Sequence, residues 1–386
     1  AEEYLRANLP PQLAQELKGI TVKFDEDNKQ LSVSASSEYS TSILKMMGRE
    51  KLEYSPFAQV GLPTGNLEVV LVLDTTFSMS VDGKIEALQK AAKEFTDTML
   101  DLNNGMERVK IGIVPFSNYV NVGLDNRNAP WLEVEDDSSE TVTETRTTQV
   151  STANCKDVQY QTDGVDQTGQ SCDRIVTEVD PYDVTFTRTT TWNGCVGSRN
   201  FPLNLDDRNY NKKVPGLMNT SCPSRITQLT ADADVLHTEI DNLTPNGNTY
   251  IPAGLAWGLR VISSQEPFSE GVTYADAKAN DTQKVIVLMT DGENQSSAML
   301  PDSPFHNGND LKEADTWTNK ACNKIKKQEI SLYTIGFGKK ITKDVRKLLR
   351  KCSTDKKQYL AAKSNADLSN SFEAIADDLA SLYLSK

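Results

Sequence analysis

Oxygen-bearing side chains are grouped at three places in this sequence, and the first group is the most regular. The run Leu67–Leu73 consists of Val and Leu apart from Glu68, and Asp74, Thr76 and Ser78 follow it at alternate positions. Such a run predicts a buried strand that ends at Asp74. Ligands bind at the carboxyl ends of strands in open α/β sheets. Hydroxyl and carboxylate oxygens suit hard cations, so the stretch predicts part of a divalent-cation site, with Mg²⁺ as the first expectation and Mn²⁺ or Ca²⁺ as alternatives.

Two later stretches supply the same kinds of side chain in a similar context. The apolar run Lys284–Thr290 ends in Asp291, and the turn Asn246–Thr249 precedes a helical pattern that begins at Ile251. Taken singly, these residues have ordinary interpretations, because Asp is common in turns and Thr is a common helix N-cap. Because all three stretches lie at strand ends of one predicted sheet, we expect them to form one site. Its candidate ligands are Asp74, Thr76, Ser78, Thr249 and Asp291.

Strands and helices alternate around these stretches. Lys84–Leu100 carries apolar residues at helical spacing and Val109–Val114 is typical of a strand, so with the first run they predict a βαβ unit. Further helices and strands are predicted at Asp232–Leu243, Ile251–Ser263, Lys284–Met289, Thr316–Glu329, Ile330–Phe337, Thr342–Cys352, Gln358–Ala361 and Ser364–Leu384. This order predicts an α/β fold with a doubly wound, mostly parallel sheet and helices on both faces.

The length of 386 residues allows more than one structural unit. The N-terminal region contains a predicted helix tail at Ala1–Leu9 and a predicted β-hairpin formed by Ile20–Phe24 and Gln30–Ala35. Residues 121–230 show no helical period, which predicts an insertion of short strands and loops, with a partly disordered loop as the alternative. The predicted boundaries are 1–66 for the N-terminal region, 67–120 and 231–386 for the α/β domain, and 121–230 for the insertion.

Composition narrows the classes of partner. A net charge of −13 at pH 7 argues against binding to nucleic acid or to an anionic membrane as the main function. No apolar run is long enough to span a membrane. The chain begins at Ala1 rather than Met, so we expect that an upstream segment has been removed.

The six cysteines form no CxxC pair, and only two His residues are present to join them, so a zinc site is not indicated. An even number without metal-ligand spacing favours disulfides and an oxidising compartment such as the periplasm or the cell exterior, with six free thiols as the alternative. Four cysteines lie in the insertion and allow three connectivities, of which we favour Cys155–Cys172 with Cys195–Cys222.

No catalytic constellation emerges from the sequence. His237 lies on a predicted helix and His306 in a polar loop, and both are expected to be solvated or capping residues rather than bases for Ser78. Glycine-rich phosphate-binding motifs are absent from the sequence. We therefore predict that the protein is not an enzyme, and metal-assisted hydrolysis is the remaining enzymatic alternative.

The ordered set of a DxTxS loop, a Thr two residues after a Gly, and a strand-ending Asp-Gly resembles the metal-ion-dependent adhesion site of von Willebrand factor type A domains. By this resemblance, the hydroxyls of Thr76, Ser78 and Thr249 would contact the metal, while Asp74 and Asp291 would act largely through bound water. The resemblance also implies an open coordination position that an acidic residue of a protein partner fills. Phe77 departs from the family pattern, since many relatives carry a small residue there, but it is a spacer position.

The remainder of the chain resembles bacterial TadG-like proteins of the tight-adherence (Flp) pilus apparatus. The stretches that carry this resemblance are WNGCVGSR at 192–199, TPNGNTYIPAGL at 244–255 and VLMTDGEN at 287–294. The resemblance implies a Cys322–Cys352 disulfide, which we expect to tie the last helix to the sheet. It also implies an inner-membrane anchor through a missing N-terminal helix, and a role in pilus assembly or adhesion.

Two main functions therefore remain. The first is a minor-pilin-like interaction protein, in the periplasm or at the cell surface, that uses its metal site to bind other pilus components. The second is a secreted adhesin that binds host or matrix ligands directly. The full N-terminus would distinguish them, because the first requires a pilin-like helix and the second a cleavable secretion signal.

Overall fold

The computed structural model describes residues 17–25, 30–40, 51–61, 65–103, 105–162, 165–298, 303–339 and 341–384. The helix tail predicted at Ala1–Leu9 lies outside these residues. The described residues fall into two compact units, one within 66–377 and one within 1–65 and 378–386.

The smaller unit contains an antiparallel four-stranded sheet. Its strands are β1 (Leu17–Asp25), β2 (Gln30–Ser40), β3 (Lys51–Tyr54) and β4 (Phe57–Gly61). Strand β2 pairs with β1 along most of its length and also with β3 and β4. The predicted N-terminal hairpin is therefore present as β1–β2, with two further strands added to it.

The larger unit is organised around a six-stranded sheet. Its strands are β5 (Leu67–Asp74), β6 (Val109–Phe116), β13 (Thr227–Thr230), β14 (Gln283–Thr290), β15 (Ser331–Phe337) and β16 (Tyr359–Ala362). Their spatial order is β13-β6-β5-β14-β15-β16, and every pair is parallel except β13 with β6. All of β5 is buried, as expected for a central strand of a parallel sheet.

Helices cover both faces of this sheet. They are α1 (Lys84–Asp101), α2 (Ala233–Asp241), α3 (Ile251–Ile262), α4 (Tyr274–Ala279), α5 (Leu311–Lys327), α6 (Lys343–Cys352) and α7 (Asn365–Leu384). Helix α5 begins five residues before its predicted start because the Asp310 side chain caps it, accepting from the Glu313 N–H at 3.0 Å. The predicted doubly wound, mostly parallel α/β fold is confirmed.

Helix α3 is buried on all sides, which fixes the position of the turn before it. It packs on β5, β6 and α5, and all of its residues are buried. A Cβ atom at Gly254 would lie 2.6 Å from the ring of Phe116, and one at Gly258 would lie 2.6 Å from Val72. Only glycine permits this close approach of the helix to the sheet.

The chain between β6 and β13 forms two further structures. A small sheet has the order β7-β11-β12-β8, with β7 (Val120–Asn121), β8 (Leu132–Glu133), β11 (Trp192–Val196) and β12 (Val214–Met218). Between β8 and β11, the strands β9 (Ser138–Thr162) and β10 (Val165–Thr190) form a long antiparallel hairpin, which we call the ribbon. The prediction of short strands in this segment is wrong for the ribbon, because its Thr- and Val-rich sequence forms strands of 25 and 26 residues.

The small sheet joins the core of the α/β domain, while the ribbon does not. Trp131 packs against Trp257 of α3 at 6.2 Å between ring centroids, and Arg260 of α3 donates hydrogen bonds to the carbonyls of Leu203 and Asp206.

Strand β13 lies within the predicted insertion at 121–230, yet it pairs with β6 at the edge of the main sheet.

All six cysteines are paired, as Cys155–Cys172, Cys195–Cys222 and Cys322–Cys352. These are the pairs expected from the sequence. The expectation that the last of them ties the final helix to the sheet is wrong, because Cys322 lies on α5 and Cys352 ends α6. No helix in the described part of the chain is long and apolar enough to cross a membrane.

Candidate metal site

The loop after β5 folds back on the carboxylate that ends the strand. Asp74 Oδ1 accepts hydrogen bonds from the backbone N–H of Thr76 at 2.9 Å and from Thr76 Oγ1 at 2.6 Å. Thr76 Oγ1 lies 3.1 Å from Ser78 Oγ. The alternate spacing of these three residues therefore places their oxygens side by side.

The turn before α3 delivers a second hydroxyl to the same place. Gly247 has a φ of +73°, and its carbonyl accepts a hydrogen bond from the Phe77 N–H at 2.9 Å. This bond fastens the turn to the loop after β5. Thr249 Oγ1 lies 3.4 Å from Thr76 Oγ1, and Thr249 is 1% exposed.

Thr249 does not cap the helix that follows it. The N-cap of α3 is Tyr250, and the Ile251 N–H donates to Asn294 Oδ1 at 2.9 Å. Asn294 belongs to the loop after β14, so this hydrogen bond also joins the second and third stretches. The Thr249 hydroxyl is thereby left to face the Asp74 loop.

The end of β14 supplies the second carboxylate. Ser78 Oγ donates to Asp291 Oδ1 at 2.7 Å, and Lys84 Nζ donates to Asp291 Oδ2 at 2.6 Å. Lys84 Nζ also donates to the backbone carbonyl of Ser78 at 3.2 Å. The structure therefore brings all five predicted site residues into one connected group at the carboxyl edge of the sheet.

Burial governs the electrostatics of this group. Asp74 is fully buried, and burial followed by the negative charge of Asp291 raises the pKa of Asp74 to about 7. Hydrogen bonds from Thr290 and Thr76 partly oppose this rise, and the Thr290 Oγ1 bond to Asp74 Oδ2 measures 2.6 Å. Within the described residues, no basic side chain forms a salt bridge with Asp74. A buried carboxylate without a cationic partner is costly, and a bound cation would relieve that cost.

The donor set fits a hard divalent cation. Two carboxylates and three hydroxyls offer oxygen ligands only, the combination that Mg²⁺, Mn²⁺ and Ca²⁺ favour over softer metals. The described residues contain no group of three or more His, Cys, Asp and Glu side chains placed to hold a metal.

Three contributing residues were missed at the sequence level. Thr290 orients Asp74, Asn294 caps α3, and Lys84 neutralises Asp291. Thr290 and Asn294 lie within three residues of Asp291 in the sequence, and this closeness to a predicted ligand could have indicated that they belong to the site. Lys84 had a different signal, because it is a cation at the first position of a helix, where the helix dipole disfavours positive charge.

Neither histidine is placed to serve Ser78. His237 lies on α2 with Nε2 2.8 Å from Asp97 Oδ1. His306 is 2% exposed, and its ring nitrogens lie 2.6 Å from the Asn118 carbonyl and 2.7 Å from Ser198 Oγ. The expectation that His306 is solvated is therefore wrong, because aromatic neighbours and the small-sheet region enclose it.

An open cleft of about 840 Å³ lies beside the site. Its lining includes Ser78, Lys84 and Asp291, and also Thr342 and Asn365 at the starts of α6 and α7. The site is therefore reachable from outside on the side of Ser78 and Asp291, whereas Asp74, Thr76 and Thr249 form its buried floor.

Solved structures resemble the chain only distantly. The pilus adhesin SpaC from Lactobacillus rhamnosus GG is 12% identical, with a TM-score of 0.46, and the match covers 94% of this chain but 34% of SpaC. The vWF domain of the type V pili tip protein Mfa5 from Porphyromonas gingivalis is 12% identical, with a TM-score of 0.45 and coverages of 84% and 97%. Proximal thread matrix protein 1 from the mussel byssus, solved with a zinc-occupied MIDAS motif, is 16% identical, with a TM-score of 0.38 and coverages of 82% and 48%. These likenesses are too distant to indicate a function, and the chain spans about a third of SpaC.

No curated protein sequence matches this chain. The family model of the von Willebrand factor type A domain matches residues 219–374, which include Thr249 and Asp291. The stretch with Asp74, Thr76 and Ser78 precedes the matched segment in the sequence. It lies next to Asp291 because β5, which ends at Asp74, pairs in parallel with β14. The larger unit of this protein thus has the α/β fold of von Willebrand factor type A domains.

Proposed function

We propose that the protein is a non-enzymatic, divalent-metal-dependent binding protein whose metal is held by Asp74, Thr76, Ser78, Thr249 and Asp291. The observation that carries this proposal is the convergence of these side chains from three separate loops into one connected group. The bound cation would supply an electrophilic centre that accepts a carboxylate from a partner protein. Mg²⁺ is the expected ion, and Mn²⁺ is a convenient substitute in experiments.

The residues divide this work between them. Asp74, Thr76 and Thr249 are buried and would fix the ion's position. Ser78 and Asp291 border the open cleft, so a ligand would approach from their side. The two carboxylates do not form a hydrolytic pair with any His, and the Ser78 hydroxyl is already donated to Asp291. These features support binding rather than turnover.

The biological setting is proposed from the sequence resemblance. The TadG-like motifs at 192–199, 244–255 and 287–294 support a minor-pilin-like component of a bacterial tight-adherence pilus, located in the periplasm or at the cell surface. Its partners would then be other pilus components that present an acidic residue. The three disulfides support an oxidising compartment.

Calorimetric titration with Mg²⁺ and Mn²⁺ tests the metal site. The unaltered protein should bind one equivalent, and Thr249→Ala should weaken binding at least 10-fold because it removes one predicted ligand. Thr316→Ala is the matched control, since the Thr316 hydroxyl donates within α5 to the Lys312 carbonyl. Equal affinities for the two variants, or no binding by the unaltered protein, would refute the proposed site.

Cross-linking in cells tests the pilus assignment. A photoreactive residue at Lys363, which lines the cleft, should cross-link to a pilus component when Mg²⁺ is present. Chelation of the metal should abolish the cross-link. A cross-link to host or matrix protein alone would instead favour the secreted-adhesin alternative.

A further inference from the structure

Lys84 stands at an unusual place for a cation. It is the first residue of α1, where the unpaired N–H groups and the helix dipole disfavour positive charge. Its side chain is nonetheless 18% exposed and turned inward, where Nζ contacts Asp291 Oδ2 at 2.6 Å. The Asp291 side chain is fully buried in this pair. The interaction that favours a cation at this position is therefore the ion pair with Asp291, since the helix dipole opposes it.

The two carboxylates of the site are treated differently by the fold. Asp291 receives an ammonium group, while the donors to Asp74 among the described residues are the hydroxyls of Thr76 and Thr290 and the backbone N–H of Thr76. Counted together, Asp74, Asp291 and Lys84 carry a net charge of −1 when ionised. A divalent cation would change that sum to +1, whereas without Lys84 the loaded site would be neutral.

We propose that Lys84 sets the charge of the metal site, so that the loaded site is positive and selects an anionic ligand at the cost of weaker metal binding. This inference rests on the proposed function. Because the Lys84–Asp291 pair is shielded from bulk water, salt screens its charge less than that of an exposed lysine. Lys84 is a positioning residue here, since it acts on the metal and on the ligand through charge and through Asp291.

The proposal makes two predictions of opposite sign for one substitution. Lys84→Met keeps the apolar stem and removes the charge, so the affinity for Mn²⁺ should rise about 10-fold. At saturating Mn²⁺, the affinity for acetate, measured by the relaxation of acetate protons near the bound Mn²⁺, should fall about 5-fold or more. A purely structural Lys84, which only holds the Ser78 loop against Asp291, would weaken both affinities.

Two further variants complete the experiment. Lys84→Arg keeps the charge and should restore both affinities to within about threefold of the unaltered protein. Lys90→Met removes an exposed charge from the same helix and should leave both unchanged, since Lys90 pairs with Glu94 at 3.8 Å on the exposed surface. If Lys84→Met fails to fold, Lys84→Gln serves in its place.

The outcomes separate this inference from the function on which it rests. If the unaltered protein does not bind Mn²⁺, the proposed function fails. If it binds Mn²⁺ but Lys84→Met binds with equal or weaker affinity, the charge-setting role is overturned and the metal site stands. Tighter Mn²⁺ binding with undiminished acetate binding also overturns the inference, because the charge would then not select the ligand.

Discussion

Two regions of the molecule differ in how strongly tertiary contacts fix their side chains: the carboxyl edge of the main sheet, which we call the site edge, and the ribbon. At the site edge, Asp74 and Thr249 are buried, and each is hydrogen-bonded to a residue distant in sequence, Asp74 to Thr290 and Thr249 to Thr76. In the ribbon, Val150 and Val176 face each other across the strands and are still 48% and 53% exposed. The candidate metal ligands therefore lie where burial and tertiary hydrogen bonds fix the positions of side chains. The ribbon, in contrast, is held together mainly by backbone hydrogen bonds between its two strands.

The largest expected effect contrasts a carboxylate at the site with one on the ribbon. Asp74→Asn should weaken Mn²⁺ binding roughly 100-fold or more, because it removes an ionised ligand from a buried position. The metal-free variant should unfold at the same or a higher temperature, since a buried carboxylate without a cationic partner is lost. Calorimetric titration and thermal unfolding in chelator measure these two quantities.

Asp173→Asn is the control on the ribbon, where the Asp173 carboxylate accepts an exposed hydrogen bond from Asn154 at 2.9 Å. Both measurements should stay unchanged in this variant. If Asp74→Asn strongly lowered the unfolding temperature of the metal-free protein, the buried Asp74 carboxylate could not be destabilising the metal-free site.

The same contrast explains what the sequence could and could not predict. The Val and Leu run before Asp74 predicts a buried parallel strand, and the carboxyl ends of such strands meet at one edge, so the site's location follows from pattern alone. In the ribbon, Thr and Val stand among polar residues, so the sequence shows no face that must be buried. The pairing of its two strands is then set by their register, which the sequence pattern does not specify. The length of β9 and β10 was therefore not predictable.

Long-range side-chain pairs were the other limit. The Lys84 contact with Asp291 joins residues more than 200 positions apart, and no local pattern specifies it. The burial of His306 likewise depends on Tyr119 and Tyr250, whose rings lie 5.2 and 4.3 Å from its own. Periodicity predicts elements and the edges that they share, whereas such tertiary contacts need the fold itself.

The disulfides give the second-largest effect. Replacing Cys322 and Cys352 together by Ala should lower the free energy of unfolding by about 3 kcal/mol, because their 30-residue loop joins two buried positions on α5 and α6. Replacing Cys155 and Cys172 should leave the unfolding of the α/β domain unchanged, although chain entropy alone gives their 17-residue loop a similar value.

Chemical denaturation followed by tryptophan fluorescence measures this difference, since Trp131 and Trp257 report on the domain core. Equal losses of stability in the two double variants would mean that the ribbon unfolds together with the domain. That result would contradict the expectation that the ribbon contributes little to the stability of the α/β domain.

His306 gives a smaller, pH-dependent effect next to the Thr249 turn. Burial lowers the pKa of His306 from its usual 6.5 to about 4. Between these values the unfolded chain binds more protons than the folded one, so the contribution is fully present above pH 6.5 and is lost as pH falls towards 4, by about 2–3 kcal/mol. His306→Gln should flatten this part of the stability profile in urea titrations. An unchanged slope in His306→Gln would exclude this source of acid sensitivity.

The smallest expected effect is that of removing the ribbon. Ser138 and Thr190 pair at its base, so a short Gly-Ser-Gly turn can replace 138–190 and join Asp137 to Thr191. The hydrogen bond from the Trp192 N–H to Asp137 Oδ1, at 3.0 Å, should then be kept. Because the ribbon contributes no residue to the site, the affinity for Mn²⁺ should stay within about twofold and the unfolding temperature within about 2 °C. Retained metal binding with lost cross-linking to pilus components would assign the ribbon a separate role in partner contact. A loss of metal affinity, by contrast, would show that the exposed ribbon and the buried site are coupled through the small sheet.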